Sequence, residues 1–229
     1  MQLSISGRTV DIFSSAEGIA PLVILNTIQE EGAKIFEKCT DIGCKNFTLA
    51  AISGLNWNRD LSPWETPEIR NNRYSFGGAD EYISQLTTQI MPEILSKLPE
   101  KPEFTALAGY SLAGLFALYA AYRTDVFSRV ASVSGSLWFP GFTEFAQSHD
   151  FVKTPDLIYL SLGDAEAKKR DKNLAPVQKN TELLTDFYKS HGIPTIFEIN
   201  CGNHFADTIG RTAKGIVKLV KNKSLGCTK

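Results

Sequence analysis

Ser111 stands where a short apolar run turns into a longer one, in Gly109-Tyr-Ser-Leu-Ala-Gly114. A serine hydroxyl attacks a carbonyl only when a neighbouring base takes its proton, and a sharp strand-to-helix turn would hold its Oγ out for that purpose. Such a turn strains the serine backbone, so residues with little or no side chain are needed where strand and helix pass closest. Gly109 and Ala113 fill those places, with Ala113 standing where the G-x-S-x-G pattern has its second glycine. Taken alone, a glycine-containing turn with an incidental serine would look the same.

The base must be an imidazole, and the chain has three histidines. His191, in Lys189-Ser-His-Gly-Ile-Pro194, reads as a helix-end residue meeting the helix dipole. His149 lies in a polar stretch and reads as exposed. His204, in Asn200-Cys-Gly-Asn-His-Phe205, falls between the last apolar run and the last helical one, and it is the candidate base. A carboxylate is needed to fix the imidazole tautomer and stabilise its cation. Gly163-Asp-Ala-Glu166 offers Glu166, the preferred acid, and Asp164, with helix capping as the role of whichever is not used. The cations that follow, Lys168, Lys169 and Arg170, read as solvated surface.

An oxyanion needs backbone N–H donors. The expected first donor is Leu112, at the start of a helix; the second is Thr27, after the run Pro21 to Leu25, with Ile28 as the alternative. Neither a metal nor an organic cofactor is required by this chemistry.

The elements that must position these groups follow from hydrophobic periodicity. Strands are expected at Gln2 to Ser6, Thr9 to Phe13, Pro21 to Leu25, Phe47 to Ile52, Thr105 to Ala108, Arg129 to Val133, Leu157 to Leu162 and Thr195 to Ile199. Helices are expected at Glu30 to Cys39, Ala79 to Leu98, Leu112 to Tyr122, Leu174 to His191 and Asp207 to Lys221, with Pro92 kinking or dividing the second. Alternating strands and helices with continuously apolar inner strands imply a mostly parallel sheet covered on both faces. The 229 residues suit one such domain, 1–229, and no repeat or linker interrupts them. A net charge of −1 argues against nucleic acid or an anionic membrane as partner and leaves a small molecule. No apolar run is long enough to span a bilayer and the amino terminus lacks a secretory pattern, so a cytoplasmic location is expected. Cys39, Cys44, Cys201 and Cys227 lack zinc-site spacing and read as free thiols.

With these pieces assembled, the chain resembles the putative esterase family of α/β-hydrolases, which includes enterochelin esterases and S-formylglutathione hydrolase. The resemblance lies in Pro21-Leu-Val-Ile-Leu-Asn26, Trp57-Asn-Arg-Asp-Leu-Ser-Pro-Trp64, Phe76-Gly-Gly-Ala-Asp-Glu-Tyr82, Met91-Pro92, Gly109 to Gly114, Ser134-Gly-Ser-Leu-Trp138 and Gly202-Asn-His204, in the right order over most of the chain. It implies serine-dependent hydrolysis of a carboxylic ester, in the chain order serine, acid, histidine. Acyl transfer or thioester cleavage on the same scaffold, and a non-catalytic binding protein that kept the fold, are the competing readings. Trp57, Trp64, Phe76, Tyr110 and Trp138 are expected to wall the pocket or else to anchor the core. Arg59 is either a clamp for an anionic substrate group or the partner of Asp60 or Glu65. No insertion provides a large cap; Phe139 to Lys153 is the candidate flap, and the site should be open.

Overall fold

The computed structural model describes residues 1–66, 76–167 and 176–222. All eight expected strands form: β1 (Gln2–Ile5), β2 (Arg8–Ser14), β3 (Leu22–Asn26), β4 (Thr48–Ser53), β5 (Thr105–Tyr110), β6 (Arg129–Val133), β7 (Leu157–Gly163) and β8 (Thr195–Asn200). They make one sheet in the order β1-β2-β4-β3-β5-β6-β7-β8, with the β1–β2 and β2–β4 pairings antiparallel and the other five parallel. Every residue of β3, β4, β6 and β7 is buried, as expected of strands covered on both faces.

The helices are α1 (Glu31–Asp41), α2 (Trp57–Asp60), α3 (Ala79–Gln85), α4 (Met91–Ser96), α5 (Leu112–Arg123), α6 (Phe142–Ser148), α7 (Val177–Ser190) and α8 (Thr208–Lys221). Strand side chains alternate between two apolar layers. Leu22, Ile24, Ala50 and Ile52 join the layer with α3 to α7, whereas Val23, Leu25, Leu49 and Ala51 pack against α1 and α8. Helix α5 is buried from Leu112 through Tyr122, which explains its lack of a polar face.

One expectation holds in its second form and one changes. The helix expected from Ala79 to Leu98 is divided: a π-helical turn, Leu86–Ile90, joins α3 to α4, and Pro92 falls in the first turn of α4, where its missing N–H costs no helical hydrogen bond. The segment Phe139 to Lys153 is not a flap, because Phe139, Phe142 and Ala146 are at most 1% exposed and α6 packs against α7. Its aromatic residues face the core, so it is part of the scaffold. The first positions of the helix expected from Leu174, the cations Lys168 to Arg170, and Cys227 lie outside the described residues. No described helix is long and apolar enough to cross a membrane.

Candidate active site

The chain leaves β3 toward β4 on one side, while β5 pairs with β3 on the other, so the strand order reverses between β3 and β5. A crevice opens at the carboxyl ends of strands at such a reversal. Ser111 follows β5 there, with φ 58° and ψ −121°, a strained conformation for a residue with a Cβ. The surroundings hold it: its amide donates to the Val133 carbonyl at 3.0 Å, and its carbonyl accepts from the amides of Gly114, Leu115 and Ser136 at 3.0 to 3.1 Å. A Cβ on Gly109 would lie 2.3 Å from the Ala113 carbonyl oxygen and 2.6 Å from the Ala113 Cβ, so position 109 has no room for a side chain.

His204 sits in the loop between β8 and α8, and its Nε2 is 3.0 Å from Ser111 Oγ. Its Nδ1 is 2.8 Å from Oε2 of Glu166, in the loop after β7. A carboxylate only accepts, so Nδ1 carries the proton and Nε2 is left to accept from the serine. Glu166 is 4% exposed. Burial is the strongest single influence on its carboxyl and works against the charge. Donors from His204, Ser134 and the Gly163 amide together outweigh it and hold the carboxyl below the usual range.

Asp164 does not touch the imidazole. Its Oδ1 accepts from the Gly202 amide at 2.8 Å, so it braces the turn that leads into His204. Of the two candidate acids, the structure brings only Glu166 to the histidine. Tyr110 also belongs to this constellation, its hydroxyl donating to the His204 carbonyl at 2.6 Å.

The Thr27 amide is already used, because it donates to the Ile52 carbonyl at 2.9 Å and extends the β3–β4 pairing. That corrects its assignment as an oxyanion donor. The amides of Ile28 and Leu112 have no hydrogen-bond partner among the described residues. Leu112 is the first residue of α5, where an unpaired N–H is inherent in helix geometry.

Among the expected pocket aromatics, Trp57 and Tyr110 line the crevice with Ser111 and His204. Trp64 is a core anchor instead: its Nε1 donates to the Pro140 carbonyl at 3.1 Å and its ring meets Tyr119, Phe139 and Phe145. Trp138 and Phe76 likewise pack against the core and are absent from the crevice lining. Arg59 faces a separate polar cavity with Arg8, where it pairs with Asp60 at 3.3 Å and with Glu81. The anionic clamp is therefore not in the crevice, and Arg59 takes the structural alternative with Asp60.

Two groups escaped the sequence reading. Ser136 places its Oγ 3.2 Å from that of Ser111. Arg211, 3% exposed in the first turn of α8, donates from Nη1 to Glu166 Oε1 at 3.1 Å and to Tyr110 and Ser134 hydroxyls at 3.3 Å, and from Nη2 to the Cys201 carbonyl at 2.8 Å. Its signal was a charge within the apolar stripe of α8, where Thr212, Ala213, Ile216 and Leu219 are also buried.

An eight-stranded, mostly parallel sheet with a serine elbow at its strand-order reversal defines an α/β-hydrolase. Within that class the chain belongs to the putative esterase family, whose model matches residues 45–193, and it is a carboxylic ester hydrolase. The matched stretch includes Ser111 and Glu166; His204 lies beyond it. No curated protein sequence matches the chain. Among solved structures, it is similar to siderophore hydrolase EstA from Aspergillus nidulans, at 20% identity and TM-score 0.74 over 96% of this chain and 93% of that one. It is also similar to EstB from the same organism, at 18% identity and TM-score 0.68 over 96% and 94%. The enterobactin esterase FES from Shigella flexneri is 18% identical with TM-score 0.67, over 96% of this chain but 58% of that one.

Proposed function

We propose that the chain is a serine esterase whose single domain works through an acyl-enzyme on Ser111. The observation that carries this reading is the relay of Ser111 Oγ, His204 and Glu166 at 3.0 and 2.8 Å, drawn from three separate loops. His204 Nε2 accepts the serine proton as Oγ bonds to the ester carbonyl carbon, and the oxygen gathers charge facing the Leu112 and Ile28 amides. Collapse of that intermediate breaks the bond to the alcohol, which leaves with the proton from His204. Water then gives its proton to the same nitrogen while attacking the acyl-enzyme, and Ser111 recovers it as the acid departs.

Glu166 holds the imidazole and stabilises its cation, and Arg211 holds Glu166. Because Arg211 also binds the Cys201 carbonyl, it ties the acid loop to the loop that carries the base. Ser136 can donate to Ser111 Oγ, leaving the serine proton directed at His204. The reaction uses these groups, a small-molecule ester and water. A fluorophosphonate probe, followed by mass-spectrometric mapping, tests the assignment: the adduct is expected on Ser111 and is lost in Ser111→Ala. Labelling elsewhere, with esterase turnover surviving in that variant, would overturn it.

A further inference from the structure

The crevice lined by Ser111 and His204 is a slot of about 190 Å³ that runs between α1 and α8, and the reacting ester group takes part of that volume. Leu25, Ile35, Trp57 and Tyr110 make its walls predominantly apolar. Ile28 and Phe205 are the exposed members of the lining, at 60% and 74%, so large apolar side chains also form its rim. Exposed side chains of this kind carry a desolvation benefit only when something apolar covers them.

The charges in the slot have one sign. Glu31, in the first turn of α1, lines it and accepts from Thr27 Oγ1 at 2.9 Å. Among the described residues no lysine or arginine lines it. Three of the four cations of α8 are paired elsewhere, Arg211 with Glu166 and Lys214 and Lys218 each 2.9 Å from Glu198, and the fourth, Lys221, is at the far end of the helix and does not line the slot. A carboxylate entering the slot would lose water, meet Glu31 and find no cation.

We propose that the slot takes one arm of the ester, a neutral apolar group of about six carbon atoms, and that Glu31 excludes arms ending in a carboxylate. The size follows from the volume, since an apolar cavity of about 150 Å³ holds one benzene molecule. This rests on the reading of Ser111 as nucleophile, and it makes Glu31 a residue that selects by charge.

Two substrate series test it. One is the p-nitrophenyl esters of acetate, butyrate, hexanoate and decanoate; the other is the acetates of ethanol, butanol, hexanol and decanol. In one of the two series kcat/KM is expected to rise about tenfold or more toward the six-carbon arm and to fall again at ten carbons. An arm of the preferred length ending in a carboxylate should be at least about tenfold poorer than its neutral counterpart. Glu31→Gln should shrink that charge discrimination several-fold and keep the size optimum. Thr208→Phe, which fills the slot from α8, should lower the ratio of six-carbon to two-carbon substrate. Flat profiles in both series, or equal turnover of the carboxylate-ending arm, overturn the proposal. Hydrolysis of p-nitrophenyl acetate separates the two levels: if Ser111→Ala abolishes it, the esterase reading stands and the slot is judged by selectivity alone. Survival of that turnover in Ser111→Ala would bring down both.

Discussion

Two buried carboxylates anchor this molecule, and they are built to different ends. Asp60, 1% exposed, has Arg8 at 2.6 Å, Arg59 at 3.3 Å and the Asn56 amide at 2.9 Å. Glu166 has Arg211 and the Gly163 amide on Oε1, but Oε2 is given to an imidazole. All of Asp60's partners have fixed charge or none. One oxygen of Glu166 is given to a ring that, in the proposed mechanism, gains and loses a proton. A buried carboxylate saturated by guanidinium and amide groups is a staple, whereas one that shares itself with histidine can stabilise a charge that appears during a reaction.

The sharpest way to break this contrast is at the groups that Glu166 serves. Ser111→Ala and His204→Ala should each cost on the order of a millionfold in kcat. Glu166→Gln should cost about ten-thousandfold, while Asp164→Asn, which only weakens a loop brace, should stay within about tenfold. Steady-state kinetics on one activated ester measures all four. Equal losses in the two carboxylate variants would undo the distinction between them.

Asp60→Asn should move stability in place of chemistry. Taking the buried charge away from Arg8 and the Asn56 amide should cost about 2 kcal/mol in denaturant unfolding, with kcat per folded molecule unchanged. A large loss of kcat there would mean that the two carboxylates are not separate in role.

The smallest effect is in pH dependence. The folded-state pKa of Glu166 lies below its ordinary value of 4.5, so its ionised form contributes stability that is complete above that value. The contribution disappears as pH falls through the lower folded value. The stability gap between wild type and Glu166→Gln should therefore narrow on acidification, measured by unfolding from neutral to acid pH. A gap that widened would place the sign of the shift in error.

The strands were legible because each is a short apolar run rich in β-branched residues, and a strand buried on both faces needs nothing subtler. Ser111, His204 and the two acids were legible from their places after particular strands. What the sequence could not fix was how polar groups were shared out. Thr27 and Ile28 are adjacent, and only the pairing of β3 with β4 decides which amide is used up. The choice between Glu166 and Asp164 depends on loop geometry, since both lie within three residues of Gly163. Trp64 and the aromatic residues of Phe139 to Lys153 have the composition of a binding wall, and tertiary packing turned them into core. Arg211 was hidden because a buried arginine needs partners from four other places in the chain.

The close approach of β5 and α5 shows that the two small positions of the serine turn are unequal. On the strand side, an added methyl at Gly109 would collide with the helix backbone itself, at 2.3 and 2.4 Å from the Ala113 carbonyl group, and no change of side chain at 113 relieves that. On the helix side, a methyl is already present. The first small residue of the pattern is thus fixed by backbone, the second negotiable between glycine and alanine. A scan that demands both glycines discards chains such as this one, and a pattern written with one compulsory and one interchangeable position retains them.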